Sequence, residues 1–143
     1  MNVFVVNGPN LNLLGEREPQ VYGRTSLREL EQQIRARAKE LGLTVRFYQS
    51  NHEGRLIDRL HHMRHWADAV VINPAGLTHY SYALRDAIAA IAKPTIEVHL
   101  SDIKNREPFR ATSVTADVCI AQISGLGVDS YLQALQRIAD RKG

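Results

Sequence analysis

The chain has 143 residues, enough for one domain with its own core, and 44% of them are hydrophobic, as in globular proteins. The formal net charge of +3 is small and the basic residues are scattered, which favours a small anionic ligand over a nucleic-acid groove. Cys119 is the single cysteine, which excludes an internal disulfide and a cysteine metal cluster, and its apolar neighbours predict a buried thiol.

An apolar run at residues 3–6 opens the chain without the alternation of a half-buried strand. It predicts a central strand that is buried on both faces of a parallel sheet. No charged and apolar leader precedes it and no apolar stretch approaches about 18 residues, so we expect a cytoplasmic protein and no membrane partner. A hairpin at Asn7 and Gly8 is the alternative, but no matching second strand follows within a few residues.

The segment between this strand and the next helix is far longer than the roughly four to six residues of a usual connection, and long loops are often functional. It carries the amide of Asn10, the guanidinium of Arg17 and the phenol of Tyr22. A nearby cation lowers the pKa of an acid by roughly one to three units, so Arg17 makes Tyr22 a candidate base. Flanking glycines predict an active-site lid at about residues 15–24.

The rest of the chain alternates helices and strands. A capping box predicts a helix that begins after Ser26 and ends at Gly42, and a second capping box at residues 50–53 opens another helix. Thr78 is expected to cap the third helix. The later strands are predicted at residues 43–48, 68–73, 95–99 and 117–123, with an irregular segment at 101–113 and a closing helix at 128–139.

Five strands alternating with helices predict an α/β fold of the flavodoxin-like type. We expect a five-stranded parallel sheet in the order 2-1-3-4-5, with right-handed crossovers and helices on both faces. No linker or internal repeat divides the sequence, so we expect residues 1–143 to form a single catalytic domain. The loops after strands one and three and the end of strand four then meet at one edge of the sheet, where ligands bind.

Glu97 and His99 are the strongest catalytic candidates at that edge. Residues two apart on a strand face the same way, so Glu97 is positioned to orient the His99 ring and to select which nitrogen carries the proton. A histidine held in this way is a good general acid or base. A structural pair that closes the strand end is the alternative, and the polar neighbouring loops favour function.

Other motifs are weaker. His61 and His65 lie four apart on a helix but lack a third metal ligand, so they are expected to face solvent. The glycines at residues 125–127 lack the third glycine of a dinucleotide fingerprint, and neither a phosphate-binding loop nor a nucleophile elbow is present. No aromatic and basic run predicts nucleic-acid binding. These observations exclude cofactor-dependent chemistry and serine hydrolysis.

Five stretches stand out along the chain: NGPNLNLLG at 7–15, NPAGLTH at 73–79, EVHLS at 97–101, REPFR at 106–110 and ISGLG at 123–127. In sequence and in order they closely resemble motifs of the type II 3-dehydroquinate dehydratase family. The resemblance implies cofactor-free dehydration of 3-dehydroquinate to 3-dehydroshikimate through an enolate. It implies that Tyr22 is the base, assisted by Arg17, and that His99 is the acid, oriented by Glu97. Asn10 would stabilise the enolate through a bound water.

The resemblance also implies how the substrate is held. Asn73, Ser101 and the backbone of Leu100 would bind its carboxylate, and His79 and Arg110 its ring hydroxyls. Family members are typically homododecamers, tetramers of trimers. The reaction itself belongs both to aromatic biosynthesis through the shikimate pathway and to quinate breakdown.

Five positions add detail to the resemblance. Asp86 would reach the site of a neighbouring subunit. Asp102 stands where the family commonly has an asparagine, residues 111–112 replace a histidine-rich pair, and Tyr80 replaces a small residue. Asp102 is expected to add a negative charge beside an anionic substrate, so substrate affinity is the property that these departures affect.

Two other functions remain open. A non-catalytic flavodoxin-like module that binds a small carboxylate or a flavin has the same fold, although such a module needs no matched acid and base. The second is a lysine-based dehydratase, for which the available amines are Lys39, Lys93, Lys104 and Lys142.

Overall fold

The computed structural model of the protein describes residues 1–16 and 18–141, and of Tyr22 it describes the backbone alone. Its sheet consists of five parallel strands, β1 (Asn2–Asn7), β2 (Thr44–Gln49), β3 (Ala69–Asn73), β4 (Thr95–His99) and β5 (Ala121–Ser124). The strand order β2-β1-β3-β4-β5 confirms the predicted flavodoxin-like topology.

Strand β1 is central because its side chains are apolar on both faces. Val3, Phe4, Val5 and Val6 are at most 1% exposed. Val3 and Val5 belong to one hydrophobic cluster, and Phe4 and Val6 belong to another on the opposite face. The absence of alternation in the sequence thus reflects burial on both faces.

Helices cover both faces of this sheet. Their bounds are α1 (Pro19–Tyr22), α2 (Leu27–Leu41), α3 (Glu53–Met63), α4 (Tyr82–Ile91) and α5 (Val128–Arg141). The first cluster contains apolar side chains of α2 and α5, and the second contains those of α3 and α4. None of these helices, within the described part of the chain, has the length and apolar composition needed to cross a membrane.

The ends of α2 agree with the local sequence signals. The Ser26 hydroxyl accepts a hydrogen bond from the Glu29 backbone N–H at 3.1 Å, which satisfies one free donor of the first turn. Gly42 ends the helix in the left-handed conformation, with a φ of 71°. The Ser26 cap and the glycine stop are therefore confirmed, and Glu29 contacts Ser26 through the serine hydroxyl, which donates to its carboxylate at 3.1 Å.

The second predicted capping box is wrong. Helix α3 has His52 at its N-cap position, and no side chain caps it. The Ser50 hydroxyl instead accepts from the His52 backbone N–H at 3.0 Å, and the Glu53 carboxylate accepts from the hydroxyl of Ser81. Glu53 therefore connects two helices instead of closing its own first turn.

The prediction that Thr78 caps the third long helix, α4, is wrong. Ser81 does so, because its hydroxyl accepts from the Leu84 backbone N–H at 3.0 Å. Thr78 lies in a 3-10 helix, Ala75–His79, and its hydroxyl contacts the hydroxyls of Ser113 and Thr115 at 2.6 and 2.7 Å. Its polar partners are distant in sequence, which a local capping rule does not detect.

The last strand is shorter than predicted. A 3-10 helix, Ala116–Val118, precedes β5, and Val118 and Cys119 pack against the second hydrophobic cluster instead of pairing in the sheet. Cys119 is partly buried, and its Sγ lies 3.4 Å from the Thr115 carbonyl oxygen. Burial raises the pKa of this thiol to about 12, with a smaller contribution from the Glu97 charge, so it is not a reactive thiolate at neutral pH.

Gly8 has no room for a side chain where β1 meets the turn after β3. A Cβ at this position would lie 2.6 Å from the Pro74 carbonyl oxygen, which is backbone and cannot move aside alone. We expect Gly8→Ala to lower the free energy of unfolding by about 1–3 kcal/mol, as overpacking does. Urea unfolding at one fixed protein concentration measures it.

Gly54→Ala is the matched control. Apart from its chain neighbours and the adjacent backbone of its own helix, no described atom lies within 4 Å of a Cβ at this position, so alanine should keep or raise stability, by about 0.5–1 kcal/mol. Equal stability of the Gly8→Ala variant and the wild type would contradict the close approach.

Candidate active site

A cavity of about 120 Å³ lies beyond the carboxyl ends of β1, β3 and β4. This is where a parallel sheet of this order is expected to bind a ligand. The lining includes residues from the loops after β1 and β3, from the end of β4 and from the following segment. The polar side chains among them are those of Asn10, Asn73, His79, His99, Ser101, Arg106 and Arg110.

Glu97 is the most buried charged group beside this cavity, at 0% exposure. Its Oε2 accepts hydrogen bonds from His99 Nε2 at 2.9 Å and from Ser113 Oγ and Gln122 Nε2, both at 2.8 Å. Its Oε1 accepts from the Thr115 hydroxyl. Burial by itself raises the pKa of a carboxyl, but these donors and the histidine charge outweigh it and lower the pKa of Glu97 to about 2.

The ionised carboxylate decides how the His99 ring is oriented. A carboxylate only accepts hydrogen bonds, so His99 Nε2 carries the hydrogen that points toward Glu97. The ring is 4% exposed and lines the cavity, and Nδ1 is the nitrogen that remains for a ligand. The alternation along β4 therefore produces the geometry that the spacing of the two residues predicted.

Sequence reasoning missed the groups that hold Glu97. Gln122 is its partner in the register of β4 and β5, so it lies opposite only once the strands are paired. Ser113 and Thr115 belong to an irregular segment, and Thr78 in turn contacts both hydroxyls. The one signal in the sequence was the run of hydroxyl side chains near residue 113, which has no motif spacing.

His79 is held by the backbone. Its Nδ1 donates to the Thr112 carbonyl oxygen at 2.8 Å, and its ring meets the edge of Phe109 with centroids 5.5 Å apart. Burial is the main cause that lowers the pKa of His79, although the bond to Thr112 opposes it. Neutral His79 therefore presents Nε2 as an acceptor.

Asn10 begins the cavity wall after β1. Its φ of 70° is left-handed, a conformation that asparagine tolerates better than most residues. The side-chain oxygen of Asn51 accepts the Asn10 backbone N–H at 2.8 Å, and the Gln49 amide donates to the same oxygen at 3.1 Å. Strand β2 therefore supports the loop that carries Asn10.

Two arginines bring positive charge to the cavity. Arg110 pairs with Glu107, and Arg106 Nη1 donates to Ser101 Oγ at 3.4 Å. Arg106 also forms an ion pair with Glu18 at 3.8 Å, which connects the cavity wall to the predicted lid. Arg106 belongs to the REPFR stretch, but nothing in the sequence alone marks it as a site residue.

Asp102 is not among the residues that line the cavity, contrary to expectation. Its carboxylate accepts from the Lys104 backbone N–H at 3.2 Å and from the Asn105 side chain at 2.5 Å, so it caps a 3-10 helix, Ile103–Asn105. The charge at this position therefore stabilises a turn.

The remaining predicted site residues divide into three groups. Leu100 lines the cavity, and its carbonyl oxygen accepts from the Gly127 backbone N–H at 3.0 Å. Asp86 is exposed on α4 and does not line the cavity. Arg17 lies outside the described residues, as does the side chain of Tyr22, whose backbone ends α1.

Neither a metal site nor an amine is found here. Among residues 1–16 and 18–141, no group of three or more acidic, histidine or cysteine side chains is placed to hold a metal ion. Lys39, Lys93 and Lys104 do not line the cavity, and Lys142 lies outside the described residues.

Known proteins are similar to this chain in sequence and in fold. A family model described as Dehydroquinase class II matches residues 1–139. The 3-dehydroquinate dehydratase of Dictyoglomus turgidum is 56% identical over 96% of this chain and 95% of its own, and that of Pelotomaculum thermopropionicum is 54% identical over 100% and 99%. The crystal structure of a type II dehydroquinase from Butyrivibrio crossotus covers 96% of this chain and 97% of its own, with a TM-score of 0.95 and 44% identity. The resemblance inferred from the motifs is confirmed, and the chain belongs to the class II dehydroquinase family.

Proposed function

We propose that this protein removes water from 3-dehydroquinate to give 3-dehydroshikimate, through an enolate and without a cofactor. The observation that carries the proposal is the buried Glu97–His99 pair, which opens onto a small cavity with cationic and amide groups. Membership of the class II dehydroquinases and the names of close relatives support the same substrate.

The reaction needs one group to take a proton and another to give one. Tyr22, as phenolate, takes a proton from the carbon beside the substrate ketone, and the electron pair of that bond forms the enolate. The enolate then collapses, the bond to the tertiary hydroxyl breaks, and His99 gives that oxygen a proton, so that water leaves. Proton transfer from Tyr22 to His99, through solvent, restores the starting state.

The other side chains bind and stabilise. Asn10 acts on the enolate oxygen through a bound water, as an oxyanion donor does. Asn73, Ser101 and the Leu100 backbone N–H hold the carboxylate, and the arginines of the wall supply charge. His79 and Arg110 bind the ring hydroxyls, since neutral His79 accepts and a guanidinium donates.

The lid completes the site by closing over the bound substrate. Gly15 and Gly23 bracket it, with φ values of 90° and 82° that suit glycine. The ion pair between Glu18 and Arg106 already connects the lid segment to the cavity wall. Arg17, carried by this segment, lowers the pKa of Tyr22 when the lid closes.

The same reaction serves aromatic biosynthesis in the shikimate pathway and quinate breakdown. Asp86, exposed on α4, reaches a neighbouring subunit's site in a dodecamer built from trimers. The dodecamer and the cytoplasmic location stay predictions. A flavin is disfavoured as the ligand because a cavity of about 120 Å³ is well below the roughly 300–1,000 Å³ of pockets for larger ligands.

Tyr22→Phe should keep substrate binding and lower kcat by about 10² to 10⁴, because the phenyl ring fills the same space but takes no proton. The ultraviolet absorbance of the conjugated enone, followed in the presence of a chelator, measures turnover. Tyr82→Phe is the control, since that phenol is 65% exposed and outside the cavity, and should turn over normally. Near-normal turnover by Tyr22→Phe would remove the base assignment.

Arg17→Ala should move the alkaline limb of the pH dependence of kcat/KM upward. Without the adjacent cation the Tyr22 phenol loses its proton only at higher pH, so the base form appears later. Arg64→Ala, at the exposed C-terminal end of α3, is the matched loss of charge and should leave the limb in place. An unchanged limb in Arg17→Ala would exclude Arg17 from this role.

Glu97→Gln should remove most turnover and make stability depend less on pH. The pKa of Glu97 falls from an ordinary 4.5 to about 2 on folding, so its stabilisation is complete above about pH 4.5 and is lost as the pH falls toward 2. We expect the wild type to exceed Glu97→Gln by about 3 kcal/mol at neutral pH, and by progressively less below pH 4.5.

Urea unfolding between pH 3 and pH 7 measures this difference. Glu40→Gln, at a carboxylate that is 65% exposed, is the control and should differ from the wild type by less than about 0.5 kcal/mol throughout. A wild-type advantage over Glu97→Gln that stays constant with pH would show that folding does not lower the pKa of Glu97, and an advantage that shrinks from pH 4.5 to pH 7 would show that the folded carboxyl is neutral.

A further inference from the structure

A buried phenol lies directly behind the cavity wall and is not part of the proposed chemistry. Tyr131, on α5, is 1% exposed, and its hydroxyl lies between two asparagines at the ends of neighbouring strands. It donates to Asn7 Oδ1 at 2.6 Å and accepts from Asn73 Nδ2 at 2.9 Å. Asn7 and Asn73 are opposite each other in the register of β1 and β3. Of the two, Asn73 lines the cavity.

The direction of each hydrogen bond that joins Asn7, Tyr131 and Asn73 is determined. The Ala75 backbone N–H can only donate, so the atom of Asn73 that it meets at 3.0 Å is the oxygen. The nitrogen of that amide therefore faces Tyr131, whose oxygen must accept. The single hydrogen of the Tyr131 hydroxyl is then left for Asn7 Oδ1.

The arrangement is retained although it leaves one buried donor unpaired. Asn7 is 1% exposed, and among the described residues its Nδ2 has no hydrogen-bond partner. Turning the Asn7 amide over would direct its nitrogen at the Tyr131 oxygen and leave the Tyr131 hydrogen without an acceptor. Either orientation leaves an unmade hydrogen bond in the interior, which costs free energy. Only the observed one gives the Tyr131 hydrogen an acceptor.

These bonds decide whether Asn73 donates or accepts a hydrogen bond in the cavity. The Asn73 oxygen is engaged by Ala75 and one amide hydrogen by Tyr131, so the other amide hydrogen is what remains for a ligand. We propose that Tyr131 is a positioning residue that makes Asn73 a dedicated donor to a substrate oxygen. The identity of that substrate rests on the proposed function.

Burial also keeps the Tyr131 hydroxyl neutral. It raises the pKa of this phenol above its ordinary value, and the hydrogen bond from Asn73 opposes the shift only in part. The hydrogen that Asn7 accepts is therefore present throughout the neutral range, and the polarity of Asn73 does not change with pH there.

Tyr131→Phe tests the proposal because it removes one oxygen and keeps the ring. We expect KM for 3-dehydroquinate to rise about tenfold and kcat to change less than about threefold, since one substrate hydrogen bond loses its alignment. Leu135→Ala is the control for loosening of α5, because Leu135 is 1% exposed in the same helix and core cluster. It should lower Tm and leave KM unchanged.

Asn7→Ala provides a second measurement that does not depend on the fold of Tyr131→Phe. Without Asn7 the Tyr131 hydrogen has no acceptor unless the Asn73 amide turns its oxygen toward Tyr131, which breaks the hydrogen bond from Ala75 and misaligns Asn73, so KM should again rise. An active wild type with KM within about twofold in both variants would overturn the positioning role, as would an equal rise in Leu135→Ala. A folded wild type that does not convert 3-dehydroquinate would overturn the proposed function instead, so the two failures are distinguishable.

Discussion

The Glu97 carboxylate is the interaction on which the site depends. It is fully buried on a central strand, and a bare carboxylate there would be strongly destabilising. Four donors from β4, β5 and the segment before β5 satisfy it, so the same bonds that keep it ionised also join these elements. Loss of the charge would loosen the segment that carries Thr112, and with it the contact to His79.

The parallel sheet supplies the second constraint, because it brings the ends of its strands to one edge. Asn7 and Asn73 end adjacent strands, and His99 ends the next. Groups far apart in sequence thus meet within one small cavity, and each is held by a backbone or side-chain partner behind it. Asn10 is held by Asn51 and His79 by the Thr112 carbonyl, so contacts within the protein fix both positions.

Several features governed by local rules were predictable from the sequence, although the caps of α3 and α4 were not. The Ser26 cap follows from residues three apart, the burial of β1 from its apolar run, and the Glu97–His99 pair from the alternation of a strand. Features that depend on distant partners were not predictable in this way. Thr78 bonds to hydroxyls 35 and 37 residues away, and Tyr131 bonds to Asn7 across 124 residues. Neither contact follows from a fixed spacing in the sequence.

The hydrogen bond from His79 to the Thr112 carbonyl does not depend on which side chain residue 112 carries. The acceptor belongs to the main chain, so it is present whichever side chain stands there, and the Thr112 side chain itself is exposed. The anchor of His79 therefore does not require a particular side chain at position 112. Position 112 is accordingly a place to attach a spectroscopic reporter within a few ångströms of the cavity while its chemistry stays intact.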